Sequence, residues 1–281
     1  MFAGLTDRSW LWLAGECYLV GLLLGTWTLL RGNRQSNTVI NTIITVGYFF
    51  QVIGLMLRGR AVAGCPLGNT FEIFQFTAWS AISLYLVVGV TFRLSLLGYF
   101  TSCLAAAVTL VSLSIPAWDA TRRAHIFGGN PWIELHAAIA LFSYGVFALV
   151  ALTSVMYLLR NFSLKQKHLR GFFTFLPSIM DLDHMSLRLL FVGVILLTIS
   201  LAVGSVYWLR DLQSVNLTKL FLTVAVWLAY AVALGLRLRG RLIAQRFAWV
   251  GIILFGCALF SLWPVDASRH APTSHTPTAS R

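Results

Sequence analysis

One histidine stands where an imidazole is costly. His136 falls two turns inside the apolar run PWIELHAAIALFSYGVF. Ionisable groups at membrane depth are expensive and are functional candidates by default. Neutral imidazole is also a common axial ligand for haem iron, so His136 is a candidate metal (haem iron) ligand. The plainer alternative is a hydrogen bond to a neighbouring helix. One turn further along the same face, Ala140 and Ser143 are small and are expected to leave room beside the ring. Tryptophans gather at the same boundary: Trp10, Trp12, Trp118, Trp132, Trp208 and Trp263 fall on that side of the apolar runs, against Trp27 and Trp249 on the other. Either they form an interfacial aromatic belt, or they provide an aromatic platform for a flat apolar ligand.

Charged residues cluster there too. Glu16, Glu72 and Glu134 lie in or near the outer thirds of three apolar runs, and Arg58, Arg60, Arg122 and Arg123 read as outer-loop residues. They pair with one another, or some of the arginines (Arg122 and Arg123 above all) face an anionic ligand such as haem propionates through charge-assisted bonds. On the other side, Asp183 can cap a helix N-terminus that carries Arg188 one turn later. His184 and His168 read as surface residues. Cys17, Cys103 and Cys257 fall in apolar runs and read as small core residues; the four cysteines show neither metal-ligand spacing nor a disulfide pattern.

The elements that must hold these groups are membrane helices. Of 281 residues, 58% are hydrophobic and 11% charged, with mean hydropathy +0.79. That is far too apolar for a water-soluble surface. Eight stretches reach the length needed to cross a bilayer: approximately 10–30, 38–57, 71–92, 94–116, 132–159, 186–208, 218–236 and 246–263. The expected fold class is therefore an all-α integral membrane protein, a bundle of about eight transmembrane helices. One membrane domain spans 1–264, followed by a disordered tail at 265–281 that is rich in Pro, Ser, Thr and Ala. The first stretch lacks a basic leader and a cleavage site and reads as a span. The longest gap, 160–185, is basic and then aromatic, a pattern that suits a segment on the membrane surface. Of the 21 Lys and Arg, twelve fall on the side of this gap and nine on the other, which places both termini outside. The net charge of +12 belongs to these topogenic loops, and no nucleic-acid partner is expected. Phosphate-loop, nucleophile-elbow and H-E-x-x-H motifs are absent, which argues against ATPase, hydrolase and protease readings. Residues 1–130 and 131–264 show no repeat, which argues against a small-molecule transporter.

Several runs carry a family likeness. Asn69, Phe71, Glu72, Phe76 and Trp79 resemble the N-x-[FY]-E-x-x-x-F-x-x-W element of the cytochrome c assembly protein family of the CcsA type. Trp132, His136, Ser143 and Tyr144 resemble its outer histidine helix. Leu182, Asp183, Ser186 and Arg188 are similar to L-D-x-x-S-Y-R, with Leu187 in place of Tyr, while Gly204, Trp208, Trp227 and Tyr230 match the helices that follow. The likeness covers roughly residues 65–263.

The resemblance implies haem handling at the outer membrane face for cytochrome c biogenesis. His136 would be the first outer histidine, with Trp132, Trp208, Arg122 and Arg123 beside the haem (haem b, held transiently). It implies lipid, haem and other assembly proteins as partners. It implies no independent enzyme, at most part of a haem lyase or transfer system, in a bacterial inner (cytoplasmic) membrane. Departures are equally informative. The tryptophan-rich segment is replaced by residues 209–219, where only Lys219 is kept; the inner histidine falls on Gly235; and His270 is merely the nearest candidate for a second outer histidine. The degenerate tryptophan segment, the eight helices and the run L-D-H-M-S at 182–186 resemble the HemX-like branch, which implies an alternative: regulation of tetrapyrrole synthesis through glutamyl-tRNA reductase levels, with a cytoplasmic haem-synthesis enzyme as partner.

Overall fold

In a computed structural model the described residues, 5–31, 37–92, 97–122, 130–166, 176–208 and 217–267, form an all-helical bundle; side chains at 37, 88–92, 207, 208, 217–219 and 262–267 are not described. The helices are α1 (Asp7–Leu30), α2 (Asn37–Val62), α3 (Thr70–Phe92), α4 (Leu97–Ser114), α5 (Pro131–Lys165), α6 (Ile179–Trp208), α7 (Leu217–Leu238) and α8 (Ala244–Ala267), with a one-turn 3-10 helix at Pro116–Asp119. Over their described residues, seven of the eight are long and apolar enough to cross a membrane. In α3, Glu72, Gln75, Thr77 and Ser80 are all buried.

Local sequence accounts for the helix ends. Thr6 caps α1 by accepting from the Ser9 N–H at 3.3 Å. Asn130 caps α5 by accepting from the Trp132 N–H at 3.1 Å, and Pro131 follows at the first helical position, where no N–H is needed. Ser178 accepts from the Asp181 N–H at 3.1 Å and so opens α6. This corrects the expectation for Asp183, which lies inside the helix and does not cap it. It also shortens the gap 160–185. Residues 160–165 continue α5 and residues 179–185 begin α6, so both extend beyond their apolar windows as ordinary helix rather than as a surface segment.

Helices α1, α2 and α4 pack together with α3; α5 packs with α6 and α8; α7 rests on α6 and α8; and α3 against α5 joins the two groups. Close approach at that seam requires Gly145, where a Cβ would come within 2.8 Å of the Ala81 nitrogen. Across α1–α4 the core is polar. Tyr18 donates to Gln51 Oε1 at 2.9 Å, Gln51 Nε2 to Gln75 Oε1 at 3.1 Å, and Gln75 Nε2 to Ser112 Oγ at 2.9 Å. Without water in hydrocarbon, such groups must satisfy one another. Cys103 and Cys257 turn outward and are exposed, with Cys17 half-buried. The core-cysteine expectation fails there because lipid accepts a thiol as readily as the bundle interior does.

Candidate functional site

His136 lies on the second turn of α5, half-buried against α6. Its Nδ1 is 2.6 Å from the Ser200 carbonyl oxygen and 3.0 Å from the Ser200 hydroxyl. That hydroxyl donates to the His136 carbonyl at 2.8 Å. The same antiparallel seam continues downward. A Cβ at Gly193 would collide with the Phe147 ring, and Ser186 donates to Thr153 Oγ1 at 2.8 Å. The expected room beside the imidazole is not open space on this face. Ser143 is fully buried, its hydroxyl bonded to the Ala140 carbonyl at 2.6 Å, and Ala140 packs against the hydrophobic core. One turn before His136, Trp132 is 57% exposed. Trp208 ends α6, but its side chain lies outside the described residues, as do the side chain of Lys219 and all of Arg123.

A second polar cluster occupies the same end of the bundle. Arg58 is 0% exposed and lies in α2, not in a loop. Its Nε donates to Glu72 at 2.7 Å, and its terminal nitrogens reach Asp7 at 3.0 Å and Asp119. The guanidinium stands 4.6 Å from the centroid of Phe71. Arg8 at 3.2 Å from Asp119 and Arg122 at 3.0 Å from Asp7 close the network around three acids. Arg122, named as a propionate partner, is thus paired with Asp7, although its side chain remains 45% exposed. Asn69 and Glu72 form a helix-capping device. The Asn69 side-chain Oδ1 accepts from the Glu72 N–H at 2.8 Å, and the Glu72 carboxylate accepts from the Gly68 N–H at 2.5 Å. Asp7 and Asp119, both essential to the cluster, carry no sequence signal beyond their type.

Glu134 stands apart from this network. It accepts from the Cys65 N–H at 3.3 Å, which tethers the α2–α3 loop to the helix that carries His136. Burial first, then the Glu134 and Glu72 carboxylates, push the Cys65 thiol up to about 12. Glu16 is exposed on α1.

The remaining motif residues distribute as follows. Trp79 sits among Phe76, Tyr48 and Phe142, with ring centroids 5.0, 6.4 and 6.0 Å away, between α2, α3 and α5. Tyr144 faces Ser261 of α8 at 3.4 Å. Tyr230 stacks on Phe147, its hydroxyl buried without a partner among the described residues. At the opposite end, Asp183 pairs with Arg237, whose guanidinium also donates to the Leu242 carbonyl at 2.8 Å. Arg188 and His184 are exposed. Around Gly235, where the resemblance would put an inner histidine, a Cβ would meet nothing within 4 Å.

The sequence profile described as "Cytochrome C assembly protein" matches residues 67–269. This chain belongs to that family. Relatives include Protein HemX of Brevibacillus brevis, 26% identical over 68% of this chain and 70% of its own length. Protein HemX of Bacillus subtilis is 24% identical over 79% and 81%. Cytochrome c biogenesis protein CcsA of Chlamydomonas reinhardtii is 28% identical over 77% of this chain and 62% of its own length. The chain is a multi-pass membrane protein of the cytochrome c assembly family, similar to both HemX and CcsA proteins.

Among the described residues the candidate ligand for a haem iron is one imidazole, that of His136. No group of three or more His, Cys, Asp or Glu that could hold a metal ion occurs among the described residues. The imidazole stands at the bundle end, with exposed aromatic surface one turn away. The one cavity described is an apolar cleft of about 90 Å³ between Ile73, Ala81, Leu104, Ala148 and Phe255. It is well below the ~300–1,000 Å³ of sites that enclose drug-sized ligands.

Proposed function

We propose that this protein handles haem in cytochrome c biogenesis, binding or presenting it at the outer membrane face through His136. The observation that carries the reading is the position of that imidazole, anchored through Nδ1 at the bundle end within a family of cytochrome c assembly proteins. Haem b is the expected cargo, held transiently, with other assembly proteins as partners. The protein acts by binding and orientation, at most as part of a haem lyase or transfer system. Trp132 supplies flat apolar surface, and Arg122, still partly exposed, offers positive charge for a carboxylate.

The His136 end is the outer one in this reading. Among the described residues Arg31, Arg160, Lys165, Arg188, Arg237, Arg239, Arg241 and Arg246 lie towards the other end, against Arg8, Arg58, Arg60 and Arg122 at this one. Positive residues concentrate on the cytoplasmic side, which supports both termini outside; the expected membrane is a bacterial inner one. The test is a Soret spectrum of protein purified from haem-replete cells. Wild type is expected to carry stoichiometric haem and His136→Ala to lack it; haem-free wild type would refute the proposal.

The similarity to HemX proteins and the replaced tryptophan segment at 209–219 favour a second reading, control of tetrapyrrole synthesis through glutamyl-tRNA reductase levels. Deleting the gene would then change the abundance of that enzyme and leave c-type cytochromes normal. The first reading expects the reverse.

A further inference from the structure

We infer that the hairpin between α7 and α8 is a docking surface for an anionic phospholipid of the leaflet at the end opposite His136, with the lipid phosphate facing Arg239, Arg241 and Arg246; the inference does not depend on the haem reading. The turn is stapled by its own arginine. The Arg237 guanidinium donates to the Leu242 carbonyl at 2.8 Å, pairs with Asp183 of α6 and stands 5.2 Å from the centroid of the buried Phe247 ring. Gly240, at φ +68°, makes the left-handed turn that ends α7, and the Arg241 N–H returns to the Leu236 carbonyl at 3.0 Å. On a backbone fixed in this way, Arg239, Arg241 and Arg246 are all exposed. None of the three pairs with an acid among the described residues: Asp183 is taken by Arg237, and Asp181 accepts from the Ser178 hydroxyl at 2.6 Å. Three such cations in a rigid turn complement an anion.

The apolar residues beside them identify that anion as a lipid headgroup. Leu238 and Ile243 flank the turn, Trp249 follows on α8, and all three are exposed. Along α8, Arg246, Trp249, Ile253 and Phe260 recur at helical spacing and are all exposed, so they share one outward face. At about 1.5 Å per residue, Trp249 stands about 4.5 Å and Ile253 about 10 Å further into the layer than Arg246. The polar zone of a leaflet is about 5–8 Å deep. One face therefore offers a cation at phosphate depth, an indole at the boundary, where it is favoured, and aliphatic carbon beside the chains. A soluble acidic protein gains nothing from that order, because its contact ends where hydrocarbon begins.

The test counts bound lipid. Full-length protein in detergent is titrated with phosphatidylglycerol or phosphatidylcholine of identical acyl chains, and the adducts are counted by native mass spectrometry. Wild type should prefer phosphatidylglycerol by on the order of a hundredfold, about fivefold from each of the three arginines. Raising the salt to about 0.5 M should shrink that preference. Arg241→Gln should weaken phosphatidylglycerol about fivefold, and Arg239→Gln, Arg241→Gln and Arg246→Gln together should erase the preference, with phosphatidylcholine unchanged. Lysine at the same three positions keeps the charge and should keep the preference, so a triple glutamine variant that fails to fold leaves the comparison intact. Glycerol phosphate, which has the charge without the chains, and polyglutamate, a soluble polyanion, should not displace the lipid at matched charge. Equal retention of the two lipids by wild type overturns the inference, as does displacement by either soluble anion or an Arg241→Gln variant that binds as wild type does.

Discussion

Arg58 and His136 occupy the same end of the bundle, and both belong to stretches that carry cationic or basic nitrogen into an apolar layer, yet their surroundings differ in kind. Around Arg58 every charge is answered within the chain: Asp7, Glu72 and Asp119 surround the guanidinium, Phe71 lies under it, and Arg8 and Arg122 return positive charge at the rim. At Nδ1 of His136 the contacts are a carbonyl and a hydroxyl of Ser200, both neutral, and they hold the ring by that nitrogen. The first arrangement ties the starts of α1 and α3, the end of α2 and the turn after α4 into one structural joint. The second orients a ligand-capable group. Family-motif residues thus serve two purposes: Asn69 and Glu72 build the joint, while His136 is the group with chemistry to offer.

The largest test of this contrast is Arg58→Met. Removing the cation leaves three carboxylates facing one another in a buried site, and breaking a buried pair in this way costs about 3–5 kcal/mol. A thermal melt in detergent should show a large drop in midpoint, or the protein should fail to accumulate. A variant as stable as wild type would mean that the cluster is hydrated and ordinary.

Asn69→Ala should be milder. It removes the cap of α3, worth about 1 kcal/mol, together with the donation to the Thr121 carbonyl at 3.0 Å. The melting midpoint should fall measurably, with Soret absorbance per folded molecule unchanged. Loss of haem without loss of stability would move Asn69 from the joint to the ligand site. His136→Ala should do the opposite. It forfeits the Nδ1 contacts to Ser200, with an interhelical bond in a membrane worth of the order of 0.6 kcal/mol, so stability should change little while haem is lost.

The helices were legible because hydrocarbon demands about twenty apolar residues per crossing, and the eight stretches match the eight helices to within a few residues except at the end of α2, which runs on through Arg58–Val62, and at α5 and α6. Those two run on through Arg160–Lys165 and Ile179–Met185, where helix continues after apolarity stops. Which side of each helix faces inward was not legible. Lipid is as apolar as the interior, so Cys103 and Cys257 gave no hint of pointing outward. The Arg58 joint was only half visible: its type pattern suggested pairing, but Asp7 and Asp119 lie 51 and 61 residues away in the chain. Ser200, one serine among leucines and isoleucines, was invisible altogether.

The finest distinction lies between the two glutamates near Cys65. Glu72 is neutralised by Arg58, whereas among the described residues no cation pairs with Glu134, which after burial does more than Glu72 to raise the thiol. The thiolate is the reactive form, so a thiol raised from 9.0 to about 12 should be alkylated on the order of a thousandfold more slowly near pH 8. In a variant whose only cysteine is Cys65, the rate should keep climbing beyond pH 10, where an ordinary thiol levels off. Glu134→Gln should lower the apparent value and speed labelling, although burial will keep it above normal. The sign for stability follows from the same shift. Below about pH 9 the thiol is neutral in both the folded and unfolded chain; from there towards 12 only the unfolded chain ionises, so alkaline pH drains stability from the α2–α3 loop. Unchanged labelling in Glu134→Gln would mean that this carboxylate is already neutralised, and the contrast between a saturated joint and an open corner would lose its clearest electrostatic sign.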